Sequence, residues 1–274
     1  MLFRSSGGAA PGGGEAQRAR GSSSVRARLL AYVALTKPRI VELLLITTVP
    51  AMFLAARGVP SAWLVAATLV GGTLSAASAN VFNCIFDADI DAQMTRTKGR
   101  PLVAGSVDPG SALAFATLLG VASFAWLALT TTTMAALLSL LAIGFYVLVY
   151  TLILKRSTPQ NIVIGGAAGA LPPVIGWAAV TGSVDLVPLI LFAIVFFWTP
   201  PHFWALAILK IEDYGRAGVP MLPNVAGLDR TRLEILLYTL VLAPLGLAPW
   251  LLGDRKSTRL NSSHIPLSRM PSSA

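Results

Sequence analysis

The chain has 274 residues, of which 55% are hydrophobic and 12% are charged, and its formal net charge is +9 at pH 7. Soluble domains carry roughly 25% charged residues, so the composition excludes an ordinary soluble domain, and the apolar content excludes disorder of the whole chain. The single cysteine, Cys84, excludes an internal disulfide. In so apolar a chain, the positive charge indicates membrane topology rather than nucleic-acid binding.

The N-terminal residues 1–28 are mainly Gly, Ser, Ala and Arg. A segment with so few large apolar side chains predicts disorder, and it lacks the apolar stretch of a secretory signal. Both a transit peptide and a bacterial cytoplasmic tail are compatible with this basic segment.

Seven apolar segments follow, each close to the ~20 residues that cross a bilayer as a helix. They predict an all-α fold, a polytopic membrane helical bundle. Their predicted bounds are 38–56, 62–85, 110–130, 132–154, 161–181, 186–208 and 232–252. The pair Pro172-Pro173 predicts a kink or a break in the fifth span.

The Lys and Arg residues predict how the bundle is oriented. Of the 17 that precede residue 254, 16 lie at the N-terminus or in loops after even-numbered spans, and only Arg57 lies on the other side. Positive charge accumulates on the inner face of a membrane. We therefore expect the N-terminus inside, in the bacterial cytoplasmic (inner) membrane, with the mitochondrial inner membrane as the alternative.

After Gly253 the sequence changes abruptly to DRKSTRLNSSHIPLSRMPSSA. This string reads as the translation of a sequencing-library adapter, so we expect residues 254–274 not to be native. Residues 29–253 would then form a C-terminally truncated membrane domain. A polar native tail is the alternative interpretation.

Asn83, Asp87 and Asp91 follow the second span at spacing i, i+4, i+8. This spacing keeps three side chains on one face of a helix. Oxygen ligands of this kind suit Mg²⁺, which binds one or two carboxylates together with substrate phosphates. Asp89 is expected to point elsewhere and to pair with the basic loop that follows. A solvated helix end with ordinary surface acids is the alternative.

That basic loop, TRTKGRPL, supplies Arg96, Lys98 and Arg100. These cations are typical of the inner face of a membrane protein. Beside three acids they also fit a diphosphate site, in which a metal lies on one side of the phosphates and cations lie on the other.

A second acidic and basic patch, LKIEDYGR, follows the sixth span and contains Lys210, Glu212, Asp213 and Tyr214. The loop after the fourth span adds cations and polar groups to the same membrane face, namely Tyr150, Lys155, Arg156 and Asn161. Three charged loops on one face predict a single active site.

The segment FFWTPPHFWALAI places His202 among aromatic side chains that include Trp198. His202 is a candidate for contact with a haem or for acid–base chemistry, and a structural, hydrogen-bonded histidine is the alternative. The aromatic rings are candidates for lining an isoprenoid pocket and stabilising a carbocation, or for membrane-interface anchors.

The motifs quoted above, together with LTKPRIVELLLITTVP and KRSTPQNIVIGGAAGALPPVIGWAAVTG, resemble the UbiA-type intramembrane prenyltransferases. The resemblance covers residues 35–223, and RTKGRPL, WTPPHFWALA and DYGRAGVPMLP are similar to the haem-modifying branch. It implies about nine spans around a central cavity in an intact member.

The resemblance also implies Mg²⁺-dependent transfer of farnesyl from farnesyl diphosphate to the 2-vinyl group of haem b, which gives haem O for cytochrome oxidase. Haem b is then a substrate and not a cofactor. The implied surroundings are the lipid bilayer, with no nucleic acid, and a partner such as haem A synthase or an oxidase assembly protein.

Carried over by position, the predicted site has four parts. The catalytic residues are Asn83, Asp87, Asp91 and Asp213. The metal ligands are Asp87, Asp91, Asp213 and Glu212. The diphosphate-binding residues are Arg96, Lys98, Arg100, Lys155 and Lys210. The substrate pocket contains Tyr150, Trp198, His202 and Tyr214.

The second motif departs from the DxxxD pattern of the wider family, because Ala217 stands four residues after Asp213. Glu212 is the candidate substitute for the missing acid. The alternative functions are a prenyltransferase with an aromatic, quinone-precursor acceptor, a membrane transporter, and a non-catalytic assembly or haem-carrying protein.

Overall fold

The computed structural model describes the backbone of residues 13–262 and the side chains of residues 24–249. Over that part of the chain the structure is helical and contains no strand, which confirms the all-α prediction. The elements are α1 (Gly13–Thr36), α2 (Pro38–Ala56), α3 (Ala62–Phe86), α4 (Ala88–Gln93), α5 (Pro109–Thr130), α6 (Thr133–Gly144), the π-helix π1 (Phe145–Leu154), α7 (Lys155–Ser157), α8 (Asn161–Thr181), α9 (Leu186–Ile208), α10 (Ile211–Arg216) and α11 (Leu222–Ser262).

Seven helical segments within these ranges are long and apolar enough to cross a membrane, as predicted. They are Pro38–Ala56, Ala62–Phe86, Pro109–Thr130, Thr133–Ser157, Asn161–Thr181, Leu186–Ile208 and Leu222–Pro249. The first six match the predicted bounds within three residues. The seventh begins earlier than predicted, and its first turn is separated from the rest at Gly227, where φ is 80° and ψ is 172°. Glycine tolerates this backbone because it has no Cβ.

Three local features bear on the sequence-based expectations. The helix α1 covers residues 13–28 of the segment for which disorder is predicted, because Ala, Arg, Gln and Glu favour helix. The helix α8 is continuous through Pro172 and Pro173. The helix α11 covers residues 254–262 of the tail. Residues 1–12 and 263–274 lie outside the described part of the chain.

Small residues allow the spans to pack closely. An added Cβ at Gly176 on α8 would lie 2.7 Å from the backbone oxygen of Thr48 on α2. An added Cβ at Gly71 on α3 would lie 2.4 Å from the side chain of Leu127 on α5. These glycines therefore set the distances between neighbouring spans.

The loops after even-numbered spans meet at one end of the bundle. Arg156 of α7 bonds to Asp89 of α4, and Arg216 of α10 donates a hydrogen bond to Thr95 at 3.1 Å. A buried apolar cluster joins α4, α8, α9, the start of α11 and the chain that follows α4 and α10. It comprises Ile90, Met94, Ile162, Trp204, Ala207, Ala217, Val219, Met221 and Leu222. This cluster holds the two acidic patches side by side.

The close approach of α2 and α8 gives a stability prediction. Gly176→Ala should destabilise the protein by about 1–3 kcal/mol, because the backbone oxygen of Thr48 cannot move aside as a flexible side chain can. Gly169→Ala on the same helix meets open space and serves as the control. Thermal unfolding in detergent should show a lower midpoint for Gly176→Ala alone, and equal midpoints would contradict this account of the packing.

Candidate active site

Asp87 links α3 to α4 at a junction where its φ is −96° and its ψ is 5°. The backbone hydrogen bonds continue across the junction, from Asp87 N to Asn83 O at 2.9 Å and from Asp91 N to Asp87 O at 2.8 Å. The three side chains therefore stay on one face, as the spacing predicts. All three are buried, with exposed fractions of 4% for Asn83, 0% for Asp87 and 2% for Asp91.

The two oxygens of the Asp87 carboxylate have different surroundings. Oδ2 accepts a hydrogen bond from Asn83 Nδ2 at 2.6 Å and forms an ion pair with Lys155 Nζ. Oδ1 is buried and has no hydrogen-bond partner among the residues that the structure describes. A buried oxygen without a partner is costly, so Oδ1 is a candidate ligand for a cation.

The loop TRTKGRPL folds back on Asp91. Arg100 Nη1 bonds to Asp91 Oδ2 at 2.5 Å, and the Thr97 hydroxyl donates to the Asp91 backbone oxygen at 2.9 Å. The guanidinium of Arg100 compensates the charge of the buried Asp91 carboxylate, and the loop is fixed against the end of the bundle.

Asp89 points away from this face, as predicted, but the prediction that it pairs with TRTKGRPL is wrong. Both guanidinium nitrogens of Arg156 bond to its carboxylate at 2.7 Å. Those hydrogen bonds lower the pKa of Asp89 to about 2. Arg156 also donates to the backbone oxygen of Phe86 at 2.6 Å, so it ties α7 to the α3–α4 junction.

Lys37 belongs to the site, although in the sequence it counted only as one of the positive charges that predict membrane orientation. Its Nζ donates a hydrogen bond to Asn83 Oδ1 at 2.6 Å. Burial of the ammonium group lowers the pKa of Lys37 to about 8. The one feature of the sequence that could have pointed to Lys37 is its position directly before Pro38, at the start of the first span.

The π-helix π1 supplies two further residues that the sequence analysis missed, Tyr146 and Thr151. Asn83 Nδ2 donates to Thr151 Oγ1 at 3.2 Å, and that hydroxyl donates to the Tyr146 backbone oxygen at 2.9 Å. The rings of Tyr146 and Tyr150 stack with centroids 5.3 Å apart. Short π-helical segments frequently occur at functional sites.

Glycine on α8 makes room for this ring pair. An added Cβ at Gly165 would lie 2.2 Å from the ring of Tyr150. Tyr150 stacks on Tyr146, whose backbone oxygen is bonded to Thr151 next to Asn83, and Tyr214 packs against the cluster that contains Ile90 and Met94. Two of the residues predicted for the pocket, Tyr150 and Tyr214, therefore lie near the first acidic patch.

The second acidic patch borders an open cleft of about 550 Å³. The lining includes Thr95, Lys210, Glu212, Asp213 and Arg216. Arg216 forms an ion pair with Asp213, and this hydrogen-bonded partner lowers the pKa of Asp213 below its usual value. Since Arg216 also bonds to Thr95, the cleft adjoins the loop that follows α4.

The predicted diphosphate-binding cations fall into two groups. Arg100 and Lys155 are paired with the buried carboxylates. Arg96, Lys98 and Lys210 are exposed, and within residues 24–249 none of their side chains forms a hydrogen bond or a salt bridge, although the backbone amides of Lys98 and Lys210 donate to Met94 O and Ala207 O. The exposed group is available to an anionic ligand.

A cluster of three or more His, Cys, Asp and Glu side chains in metal-binding geometry does not occur within the described part of the chain. The predicted ligands Asp87, Asp91, Asp213 and Glu212 thus do not form one preformed cage. Mg²⁺ usually takes one or two carboxylates and completes its shell with water and substrate phosphates. The unpartnered Oδ1 of Asp87 fits that mode of binding.

Trp198 and His202 are one helical turn apart on α9. Their rings stack on each other with centroids 4.5 Å apart, and both residues are exposed. Trp204, two residues further along α9, is buried and packs against Tyr238. The place of Trp198 and His202 in the substrate pocket stays a prediction.

The sequence model of the UbiA prenyltransferase family matches residues 44–259. "Protoheme IX farnesyltransferase 1" of Saccharopolyspora erythraea is 64% identical over 214 residues, which are 78% of this chain and 69% of that protein. "Protoheme IX farnesyltransferase" of Gloeobacter violaceus is 58% identical over 222 residues, 81% of this chain and 73% of that protein.

Among solved structures, the chain resembles a UbiA homologue from Archaeoglobus fulgidus bound to DMAPP and Mg²⁺. The TM-score is 0.64 at 19% identity, and the match covers 81% of this chain and 78% of that one. At this identity the likeness concerns the fold.

The two neighbouring cations of α7 should differ in their effect on stability. Lys155→Met leaves the buried Asp87 carboxylate without its ion pair and should cost roughly 3–5 kcal/mol. Arg156→Met removes a pair between exposed groups and should cost less than about 1 kcal/mol.

Thermal unfolding of both variants measures this difference. Asp87→Asn in the Lys155→Met background should recover part of the loss, because the unpaired charge is then removed. Equal destabilisation by the two single variants would contradict the assignment of Lys155 to Asp87.

Proposed function

The chain belongs to the UbiA prenyltransferase family, and we propose that it transfers a farnesyl group from farnesyl diphosphate to haem b to give haem O. The observation that carries this proposal is the buried Asp87 carboxylate. One of its oxygens is held by Asn83 and Lys155, and the other has no partner in the described part of the chain. The site lies at the end of an apolar bundle and is bordered by exposed cations.

The identity of the substrates is supported by the relatives. Proteins named protoheme IX farnesyltransferase are 64% and 58% identical to this chain, which favours haem over a quinone precursor as the acceptor. The related fold from Archaeoglobus fulgidus binds a prenyl diphosphate with Mg²⁺. A transporter is disfavoured because the acids lie at the end of the bundle and not at its midplane.

We propose that Asp87 and Asp91, with Asn83, hold Mg²⁺ from the first patch, and that Asp213 and Glu212 hold it from the second. When bound, the metal supplies positive charge that stabilises the departing diphosphate. The second patch lacks the DxxxD pattern, and its Asp213 is already paired with Arg216. Arg216 must therefore release this carboxylate or remain beside it as a phosphate-binding cation.

The basic residues neutralise the diphosphate as it leaves. Arg96, Lys98 and Lys210 are exposed, Lys210 lines the cleft, and in this proposal all three donate hydrogen bonds to phosphate oxygens. Arg100 and Lys155 add positive charge from behind the carboxylates. Charge-assisted hydrogen bonds of this kind, positioned before the reaction begins, stabilise the transition state.

The allylic carbon–oxygen bond breaks with its electron pair going to the diphosphate. The faces of the stacked Tyr146 and Tyr150 rings stabilise the resulting allylic cation. The π electrons of the haem vinyl group then form the new carbon–carbon bond, and a water adds to the remaining cation with loss of a proton. Exclusion of other water from the pocket protects the cation.

The site is proposed to open to the cytoplasm of a bacterium, since the topology predicted from the sequence puts 16 of the 17 Lys and Arg residues before residue 254 on the side of the site. The product would then be released at the inner membrane to a haem A synthase or to an oxidase assembly partner.

Conversion of haem b by the purified chain in lipid nanodiscs tests the proposal. With farnesyl diphosphate and Mg²⁺, mass spectrometry should detect haem O. Asp87→Asn should lower the rate at least about 100-fold, whereas Asp89→Asn, a variant of the exposed neighbour, should stay within about threefold. Failure of the wild-type chain to form prenylated haem would overturn the proposed function, and full activity of Asp87→Asn would overturn the proposed role of that residue.

Cysteine labelling tests the proposed orientation. The native Cys84 is buried and should not react with a membrane-impermeant maleimide. In intact cells Ser61→Cys should be labelled and Gln93→Cys should not, and lysis should expose Gln93→Cys. The reverse pattern would place the site on the outer face.

A further inference from the structure

The corner between α1 and α2 is bonded to the end of α3 that carries the site. The backbone oxygen of Thr36 accepts a hydrogen bond from Asn80 Nδ2 at 3.0 Å. The next residue, Lys37, donates from Nζ to Asn83 Oδ1 at 2.6 Å. Asn80 and Asn83 are three residues apart and therefore neighbours on one face of α3. Two consecutive residues of the corner thus bind two consecutive turns of the helix.

The backbone of this corner is in an uncommon conformation. Lys37 has φ 53° and ψ 62°, in the left-handed region, which is strained for a residue with a Cβ. Leu35, two residues earlier, is fully buried, and its backbone oxygen accepts from Cys84 Sγ at 3.8 Å. Strain of this kind persists where the surrounding contacts hold it, and here those contacts direct Lys37 at Asn83.

The contact with Lys37 fixes the orientation of the Asn83 amide. An ammonium group only donates, so the amide oxygen faces Lys37 and the amide nitrogen faces the other way. That nitrogen donates to Asp87 Oδ2 at 2.6 Å and to Thr151 Oγ1 at 3.2 Å. Since Lys155 also binds Oδ2, the donors gather on one oxygen of Asp87 and Oδ1 stays unpaired.

The charges around the corner favour an anionic ligand. Lys37 and Asp87 bond to the same amide of Asn83, and Lys155 pairs with Asp87 while Arg100 pairs with Asp91. Counted by formal charge, these three basic side chains and two carboxylates leave one positive unit. Lys37 contributes that unit from beneath the site, on the side of Asn83 remote from Asp87.

We propose that Lys37 is a positioning residue that acts through Asn83 and holds Asp87 with its Oδ1 directed at the metal-bound diphosphate. This inference rests on the proposed function, because it assigns Lys37 to the same site. Removing a partner that orients a metal ligand typically costs about 10–100-fold in metal affinity or activity. Lys37→Met should therefore weaken the site without changing the fold.

The test measures Mg²⁺-dependent binding of radiolabelled farnesyl diphosphate to the chain in nanodiscs, without haem. For Lys37→Met the Mg²⁺ concentration at half-maximal binding should rise at least about tenfold, and Lys37→Arg should recover part of the loss. Asn80→Ala removes the neighbouring hydrogen bond of the same corner and leaves Lys37 in place. It should stay within about twofold of wild type, even if its thermal midpoint falls.

The inference is overturned if Lys37→Met binds within twofold of wild type, or if Asn80→Ala raises the Mg²⁺ requirement as much as Lys37→Met does. If Lys37→Met does not fold, Lys37→Gln replaces it, because it keeps a donor but not the charge. Half-maximal binding of Lys37→Gln at a Mg²⁺ concentration within twofold of wild type would then overturn the inference. A wild-type chain that binds farnesyl diphosphate without converting haem would overturn the proposed acceptor and leave this test valid. A wild-type chain that shows no Mg²⁺-dependent binding would overturn both.

Discussion

The burial of the Asp87 carboxylate at the end of an apolar bundle is the constraint on which the rest of the site depends. A buried charge costs several kcal/mol unless it is paired and hydrogen-bonded. Asn83 and Lys155 supply the pairing at one oxygen, and the other oxygen remains without a partner in the described part of the chain. A metal and its diphosphate would complete that pairing, so the same arrangement that is costly in the free protein favours binding.

Four surrounding parts of the structure position Asp87 and its partners. The α3–α4 junction places Asp87 between the two helices, and the backbone hydrogen bonds continue through it. The π-helix π1 brings Thr151 against Asn83, and the close approach of Gly165 to Tyr150 fixes the ring pair beside the site. The α1–α2 corner supplies Lys37 from beneath. A change in any of these elements alters the position of one carboxylate oxygen.

The sequence predicted the features that depend on local periodicity. The seven spans follow from apolar length. The shared face of Asn83, Asp87 and Asp91 follows from their spacing, because the helical hydrogen bonds continue through the α3–α4 junction. It could not predict that Asp89 pairs with Arg156, because the two residues are 67 positions apart and their contact depends on how α7 packs. Lys37 and Asn83 are likewise 46 positions apart. Tyr146 was missed because a π-helix changes the register of a helix without a distinct sequence signal.

The most direct test of the central claim is the position of a metal in the complex with farnesyl diphosphate. Mn²⁺ can replace Mg²⁺ and be located by its anomalous scattering in crystals of the complex. The account predicts a peak about 2.0–2.2 Å from Asp87 Oδ1 and bonded to a diphosphate oxygen, with Asn83 and Lys155 still on Oδ2. A metal bound elsewhere, with Oδ1 of Asp87 remaining without a ligand, would contradict it.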